Sequence, residues 1–224
     1  MLELRANLKE VLQSRLPEFP KVEERGKVQG ELKFEKGTVV ASTKNMGLQG
    51  YFLKTEDDLT VGQFRRDGFT LNRLRPYTSW DELFPEAIRL WQVYVEETDA
   101  QRLSRIALRY INHLELPLEQ GDDFSRFMLA PPNVPEPIPQ SMHGFRTAFQ
   151  VHEEKSRIAI NIVQALLPKP NAEPTLILDI DAYKEEQTEV ADVPAIEAAF
   201  RSLHDMKNRV FFNLVTEQCL QLFM

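Results

Sequence analysis

A single cysteine, Cys219, is all the thiol chemistry in this 224-residue chain. That excludes an intrachain disulfide and a cysteine-built zinc site, and the apolar pattern around Cys219 predicts a buried, inert thiol. No stretch approaches the roughly 18 consecutive apolar residues of a membrane-spanning helix, and no secretory-signal pattern is seen at the N-terminus. The expectation is a cytoplasmic protein without membrane association. Histidine is scarce as well. His113, His143, His152 and His204 show neither His-x-His nor His-x-x-x-His spacing, so no metal site is expected. A Gly-x-Ser-x-Gly nucleophile elbow is missing, and Gly26, Gly30 and Gly37 are scattered among strand segments instead of forming a phosphate-cradling loop. No cofactor is expected on these grounds.

Positive charge is also in deficit, with 27 Lys and Arg against 34 Asp and Glu and a net charge of −7. Such a balance argues against general nucleic-acid or anionic-membrane binding, which needs basic surfaces. The deficit is uneven. Residues 1–112 carry 18 bases against 17 acids, while 113–224 carry 9 against 17, so a local basic patch in the first half stays open.

What is present is enough for a proper core, since 42% of the residues are hydrophobic and 27% charged. Leu4, Leu8, Val11, Leu12 and Leu16 at helical spacing predict a helix over 4–16, closed by Pro17 and Pro20. Strands are expected over 28–34, 38–42, 48–53 and 59–65. Asp67-Gly68 between two amphipathic runs reads as a two-residue type I′ hairpin. Ser79-Trp80-Asp81-Glu82 has the form of a capping box. The helix it opens runs to about Val95, with Phe84, Ile88, Trp91 and Val95 on its buried stripe and a restart or kink at Pro85.

Ser104 to Pro117 is the most informative stretch. Its even positions, Ile106, Leu108, Tyr110, Asn112, Leu114 and Leu116, are apolar apart from Asn112, and its odd positions include Arg105, Arg109 and His113. Period two predicts a long strand with a core face and a cationic face. Asn112, a polar residue on the core face, is expected to bond a neighbouring loop backbone. A long loop over 118–140 follows, with Pro131, Pro132, Pro135, Pro137 and Pro139 clustered; it reads as the boundary between an N-terminal half, 1–117, and a C-terminal half, 141–224. Strands over 145–151, 157–167 and 175–182 come next, turning at Glu153-Glu154-Lys155 and at Pro168, Pro170 and Asn171. Asp192 caps a last long helix with Pro194 in its first turn and Ile196, Phe200, Leu203, Val210, Phe211 and Leu214 on its core face. Thr216-Glu217 opens a short final helix. The fold expected is α+β, a largely antiparallel sheet covered by helices in one compact domain. Two similar strands-then-helix halves are the variant that the echo of Ser104-Arg105-Ile106-Ala107-Leu108 in Ser156-Arg157-Ile158-Ala159-Ile160 favours.

Arg-Asp-Gly-Phe-Thr-Leu-Asn (66–72), Pro76-Tyr77, Trp80, Arg105 to Asn112, Leu178-Asp179-Ile180-Asp181, His204 and Phe211 or Phe212 together resemble a patchily distributed, uncharacterised bacterial family. The similarity spans about residues 10 to 220, and its most specific part is the Arg-Tyr-Ile-Asn strand. The strand that the family has before its first helix is not recognisable here. The resemblance implies a cytoplasmic α+β protein, and the patchy distribution implies an accessory role such as antiviral defence or a toxin–antitoxin pair.

Three functions follow as expectations. The leading one is a non-enzymatic interaction protein whose partner is a protein encoded by a neighbouring gene. The chain carries no catalytic motif, which points away from an enzyme without excluding one. The second is a small-anion or enzymatic pocket on the charged sheet face. Arg105, Arg109 and His113 share one strand face, Arg146 and His152 another, and Asp179 and Asp181 a third; paired arginines offer forked donors to carboxylate or phosphate, unless the aspartates satisfy them first. The third, less favoured, is nucleic-acid contact by the basic hairpin of Arg65, Arg66, Arg73 and Arg75 with Phe64 and Phe69 interleaved as stacking platforms.

Overall fold

The computed structural model describes residues 5, 7–35, 38–77, 79–118, 123–140, 142, 144–167 and 175–223. Leu8, Leu12 and Leu16 recur every four residues, and all three are fully buried along helix α1 (Leu8–Arg15) and its C-cap. Burial of each leucine side chain is worth about 1.5–3 kcal/mol. Leu4 of the expected stripe, and the turn at Pro168, Pro170 and Asn171, lie outside the described residues.

Strands β1 (Lys21–Glu35), β2 (Thr38–Lys54), β3 (Thr60–Arg65) and β4 (Gly68–Arg73) form an antiparallel meander in the order β1-β2-β3-β4. Here β1 begins earlier than hydropathy suggests, because its charged start, Lys21 to Arg25, pairs with Gly50 to Lys54 of β2. The period-two rule then sorts the faces. Tyr51, Phe64 and Phe69 stand in one cross-strand row, and Leu53, Gly62 and Leu71 in the next. Helix α2 (Trp80–Thr98) closes over this face, bringing Leu90, Trp91 and Tyr94 into the core. Ser79 caps it by accepting from the Glu82 N–H at 3.2 Å, as the capping box predicts.

The local expectations need three corrections. The hairpin turn is Arg66-Asp67, because Arg65 pairs with Gly68; neither turn residue has positive φ, so it is not type I′. Helix α2 is continuous through Pro85, so it does not restart there, and the proline leaves the Asp81 carbonyl without its intrahelical N–H. The buried stripe of α2 is also rotated, and of the four residues expected only Trp91 is buried. Its C-terminal end buries Glu97 instead, at 7% exposure. Arg15 and Arg5 reach that carboxylate at 2.7 and 3.3 Å, so both signs of charge are matched where α2 ends.

The second unit starts at Arg102 and the first ends at Gln101. The division therefore falls ahead of the Arg-Tyr-Ile-Asn strand and not in the proline-rich segment. The reason is pairing: β6 (Ile106–Glu115) runs antiparallel to β9 (Thr175–Lys184) over all ten residues. With β7 (Phe145–Glu153) and β8 (Ile158–Leu167) the sheet order is β6-β9-β8-β7, which differs from the meander of the first unit. The echoed Ser-Arg-Ile-Ala segments both lead into this one sheet, with Ile106-Ala107 opening β6 and Ile158-Ala159 opening β8. A short ladder joins β5 (Arg102–Leu103) to β10 (Thr188–Glu189).

Helix α3 (Val193–Phe212), capped by Asp192 accepting from Ala195 N–H at 3.1 Å, packs on β6 and β9 through Ile196, Ala199, Leu203 and Met206. Phe200, Val210 and Phe211 of the expected core face are only partly covered. Inside the proline-rich segment Phe127 and Met128 are buried, and residues 127–129 are bonded to 214–216 beside helix α4 (Glu217–Gln221). Cys219 of α4 is fully buried, which raises its thiol pKa. The chain is thus α+β with antiparallel sheets throughout. Among the described residues no helix is long and apolar enough to cross a membrane.

Gly50 offers a direct test of the β2–β3 approach. A Cβ there would meet the Phe64 carbonyl oxygen at 2.3 Å and Arg65 Cα at 2.8 Å, whereas one at Gly30 meets nothing within 4 Å. Gly50→Ala is expected to destabilise the first unit by about 1–3 kcal/mol in urea denaturation, and Gly30→Ala to stay within about 0.5 kcal/mol of wild type.

Candidate functional site

Alternation along β6 sends Ile106, Leu108, Tyr110, Asn112 and Leu114 toward α3, leaving Ala107, Arg109, Ile111, His113 and Glu115 on the opposite, open face. The same parity on β9 buries Leu176, Leu178, Ile180 and Ala182 under α3 and puts Asp179 and Asp181 on the open face. Pairing through β8 carries the face to β7, where Arg146, Ala148, Gln150 and His152 lie on it. The three charged strand faces read from the sequence are therefore one surface.

On that surface the charges pair across strands. Arg109 donates from Nε and Nη2 to the two oxygens of Asp179 at 2.8 and 2.6 Å, a fork-to-carboxylate pair. The Asp179 carboxylate, by accepting these bonds, holds the Arg109 guanidinium more firmly protonated than usual. Arg105, just ahead of β6, bonds Asp181 at 3.0 Å, and its guanidinium carbon lies 4.4 Å from the centre of the Tyr183 ring. Gln150 of β7 donates to the Tyr183 hydroxyl at 3.0 Å, which extends the polar array across the sheet.

The remaining candidates are spread out. His113 and Arg146 occupy one cross-strand row, His113–Ile177–Ala165–Arg146, but at opposite edges of the sheet, roughly 14 Å apart at the usual strand spacing. His152 sits at the β7 edge with Glu154, 3.3 Å away. The structure brings Arg105, Arg109, Asp179 and Asp181 together and leaves His113, Arg146 and His152 apart from a common pocket. Asn112 bonds the Leu178 carbonyl of β9 at 2.9 Å, so its partner is a strand and not a loop.

In the first unit the hairpin aromatics are spoken for. Phe64 is fully buried and meets Phe69 edge to face at 5.2 Å, and Phe69 packs on Tyr94 and Trp91, so these rings are core and not stacking platforms. Arg65 pairs with Asp67 at 3.1 Å and Arg73 donates to Thr60 at 2.6 Å; Arg66 and Arg75 are not free either.

Two features lay beyond the sequence reading. A recess of about 270 Å³ lies between α3 and the β7–β8 turn, where Glu153 accepts from Ser156 and Arg209 at 2.5 Å each. Those bonds hold the Glu153 pKa below the usual carboxylate range. Lys207 sits half-buried on α3 with its ammonium 3.9 Å from the centre of the Tyr110 ring, and burial lowers its pKa to about 8. Its sequence signal was available: Lys207 falls four residues after Leu203 and three before Val210, within the apolar stripe. Among the described residues no group of three or more His, Cys, Asp or Glu side chains could hold a metal ion. No family model, curated protein or solved structure matches the chain.

Lys207 makes a pH-dependent prediction. As pH rises past about 8 the folded state releases this proton, while the unfolded chain keeps it to roughly 10.4. Lys207 therefore adds stability as pH climbs through that window, and carries its full burial cost below it. Lys207→Met should raise stability at pH 7 by up to about 1 kcal/mol, allowing for solvent screening and the lost ring contact. The advantage should shrink by pH 10, as read by urea denaturation at both values; an equal difference at the two would reject the assignment.

Proposed function

We propose that this protein is a non-enzymatic interaction protein that uses the open sheet face of its second unit to bind a partner protein. One observation carries the reading: the Arg109 fork is filled by Asp179. An incoming phosphate or carboxylate would have to displace a bidentate carboxylate already in place. A partner protein need not, because it can pack on a surface whose charges are balanced and held still. Ile111 supports this, since it is 51% exposed between the rows of Arg109 and His113 and gives the face an apolar anchor among ordered polar groups. The family resemblance, with its patchy distribution, makes the product of a neighbouring gene the first partner to try and an accessory role in defence or a toxin–antitoxin pair the setting.

Binding of that gene product should be measured by calorimetry with wild type and Ile111→Glu. Ile111→Glu is expected to weaken binding tenfold or more, about 1.4 kcal/mol, and to leave stability within about 0.5 kcal/mol of wild type. Millimolar phosphate or citrate should leave the melting temperature unchanged. A rise in melting temperature with either anion, lost in Arg109→Ala, would replace this reading with a small-anion site.

A further inference from the structure

Strand β7 stands at the end of the sheet order β6-β9-β8-β7, and among the described residues no strand or backbone bridge pairs with its outer edge. Natural edge strands are blunted by proline, lysine, a bulge or shortness, because unpaired N–H and C=O groups template association. None of these protects β7. Its nine residues, Phe-Arg-Thr-Ala-Phe-Gln-Val-His-Glu, contain neither proline nor lysine, and its register with β8 runs without irregularity from Phe145–Leu166 to Glu153–Ile158. Two apolar side chains are left in water on the helix side of the sheet. Phe149 is 51% exposed and Val151 44% exposed, because α3 packs on β6 and β9 and meets β7 at its last residue, through the Arg209–Glu153 ion pair.

We propose that β7 pairs with β7 of a second copy, antiparallel and centred on Gln150. The sequence of the strand is complementary to itself in that register. Phe149 of each copy faces Val151 of the other, covering both apolar residues at once. Arg146 of each copy faces Glu154 of the other; Glu154, the first residue past the strand, is 93% exposed and meets His152 of its own chain at 3.3 Å, leaving room on the carboxylate for the arginine. Centring on Phe149 instead would set Arg146 against His152 and gain no opposite charge. The two-fold operation closes, giving a dimer and not a fibre. It joins two four-stranded sheets into one of eight strands, with α3 of both copies on the same side and a continuous open face on the other. The inference does not depend on a partner for that open face.

The test is the mass of the full chain by light scattering at concentrations on the order of 100 µM, where a dimer with a Kd of about 1 µM is well populated. The wild type should show twice the mass of one chain. Phe149→Lys places two like charges near the dyad and should give a monomer with an unchanged far-UV spectrum. Arg146→Glu should weaken the dimer at least tenfold by opposing Glu154, and Arg146→Glu with Glu154→Arg should restore it. A monomeric wild type would overturn the proposal, leaving the β7 edge to a strand from another protein or to solvent. A dimer indifferent to Phe149→Lys and to the charge swap would overturn it too, since the interface would then lie elsewhere.

Discussion

The antiparallel register between β6 and β9 is the constraint on which the second unit depends. It sets Ile106 to Glu115 against Lys184 to Thr175, strands separated by some sixty residues of intervening chain. Because side chains alternate, a slip of one residue would turn Leu176, Leu178, Ile180 and Ala182 to solvent and drive Asp179 and Asp181 under α3. Burying two carboxylates there without partners would cost far more than any compensating contact returns. Hydrophobic burial therefore selects the register, and the register delivers the Arg–Asp pairs. The open face is ordered by the core beneath it.

That dependence explains why this region was legible in the sequence. The strands at 145–153, 158–167 and 175–184 were anticipated within a few residues, since period-two alternation is a local signal that only one burial pattern satisfies. Arg109 and Asp179 were also readable as facing groups whose charges could satisfy each other, although which arginine takes which aspartate was not. Less legible was the first unit. The charged start of β1 has no apolar alternation, and only pairing with β2 makes it a strand. Phe64 and Phe69 looked like exposed platforms because arginines surround them; alternation sends the rings inward and Arg65 outward. Glu97 could not be recognised as buried without Arg5 and Arg15, which are more than eighty residues away in the chain. The proline-rich segment read as a long boundary loop, and its hold on residues 214–216 is a tertiary event with no sequence period.

A common theme joins the two units: charge is matched close to where it stands. Glu97 is clamped by two arginines, Arg109 by both oxygens of Asp179, and Arg105 by Asp181 and the Tyr183 ring. A surface built this way offers little unspent charge to a small anion, and a fixed pattern of donors, acceptors and apolar points to another protein. Lys207 departs from that pattern, with an aromatic ring and no carboxylate at its ammonium among the described residues.

The central claim is that Arg109 and Asp179 are scaffold for each other in this register. A double-mutant cycle on Arg109→Ala and Asp179→Ala, read by urea denaturation at low salt, tests it most directly. The account predicts a favourable coupling of about 0.5–1 kcal/mol that falls as salt is added. Strictly additive effects, with no coupling at any salt concentration, would contradict it.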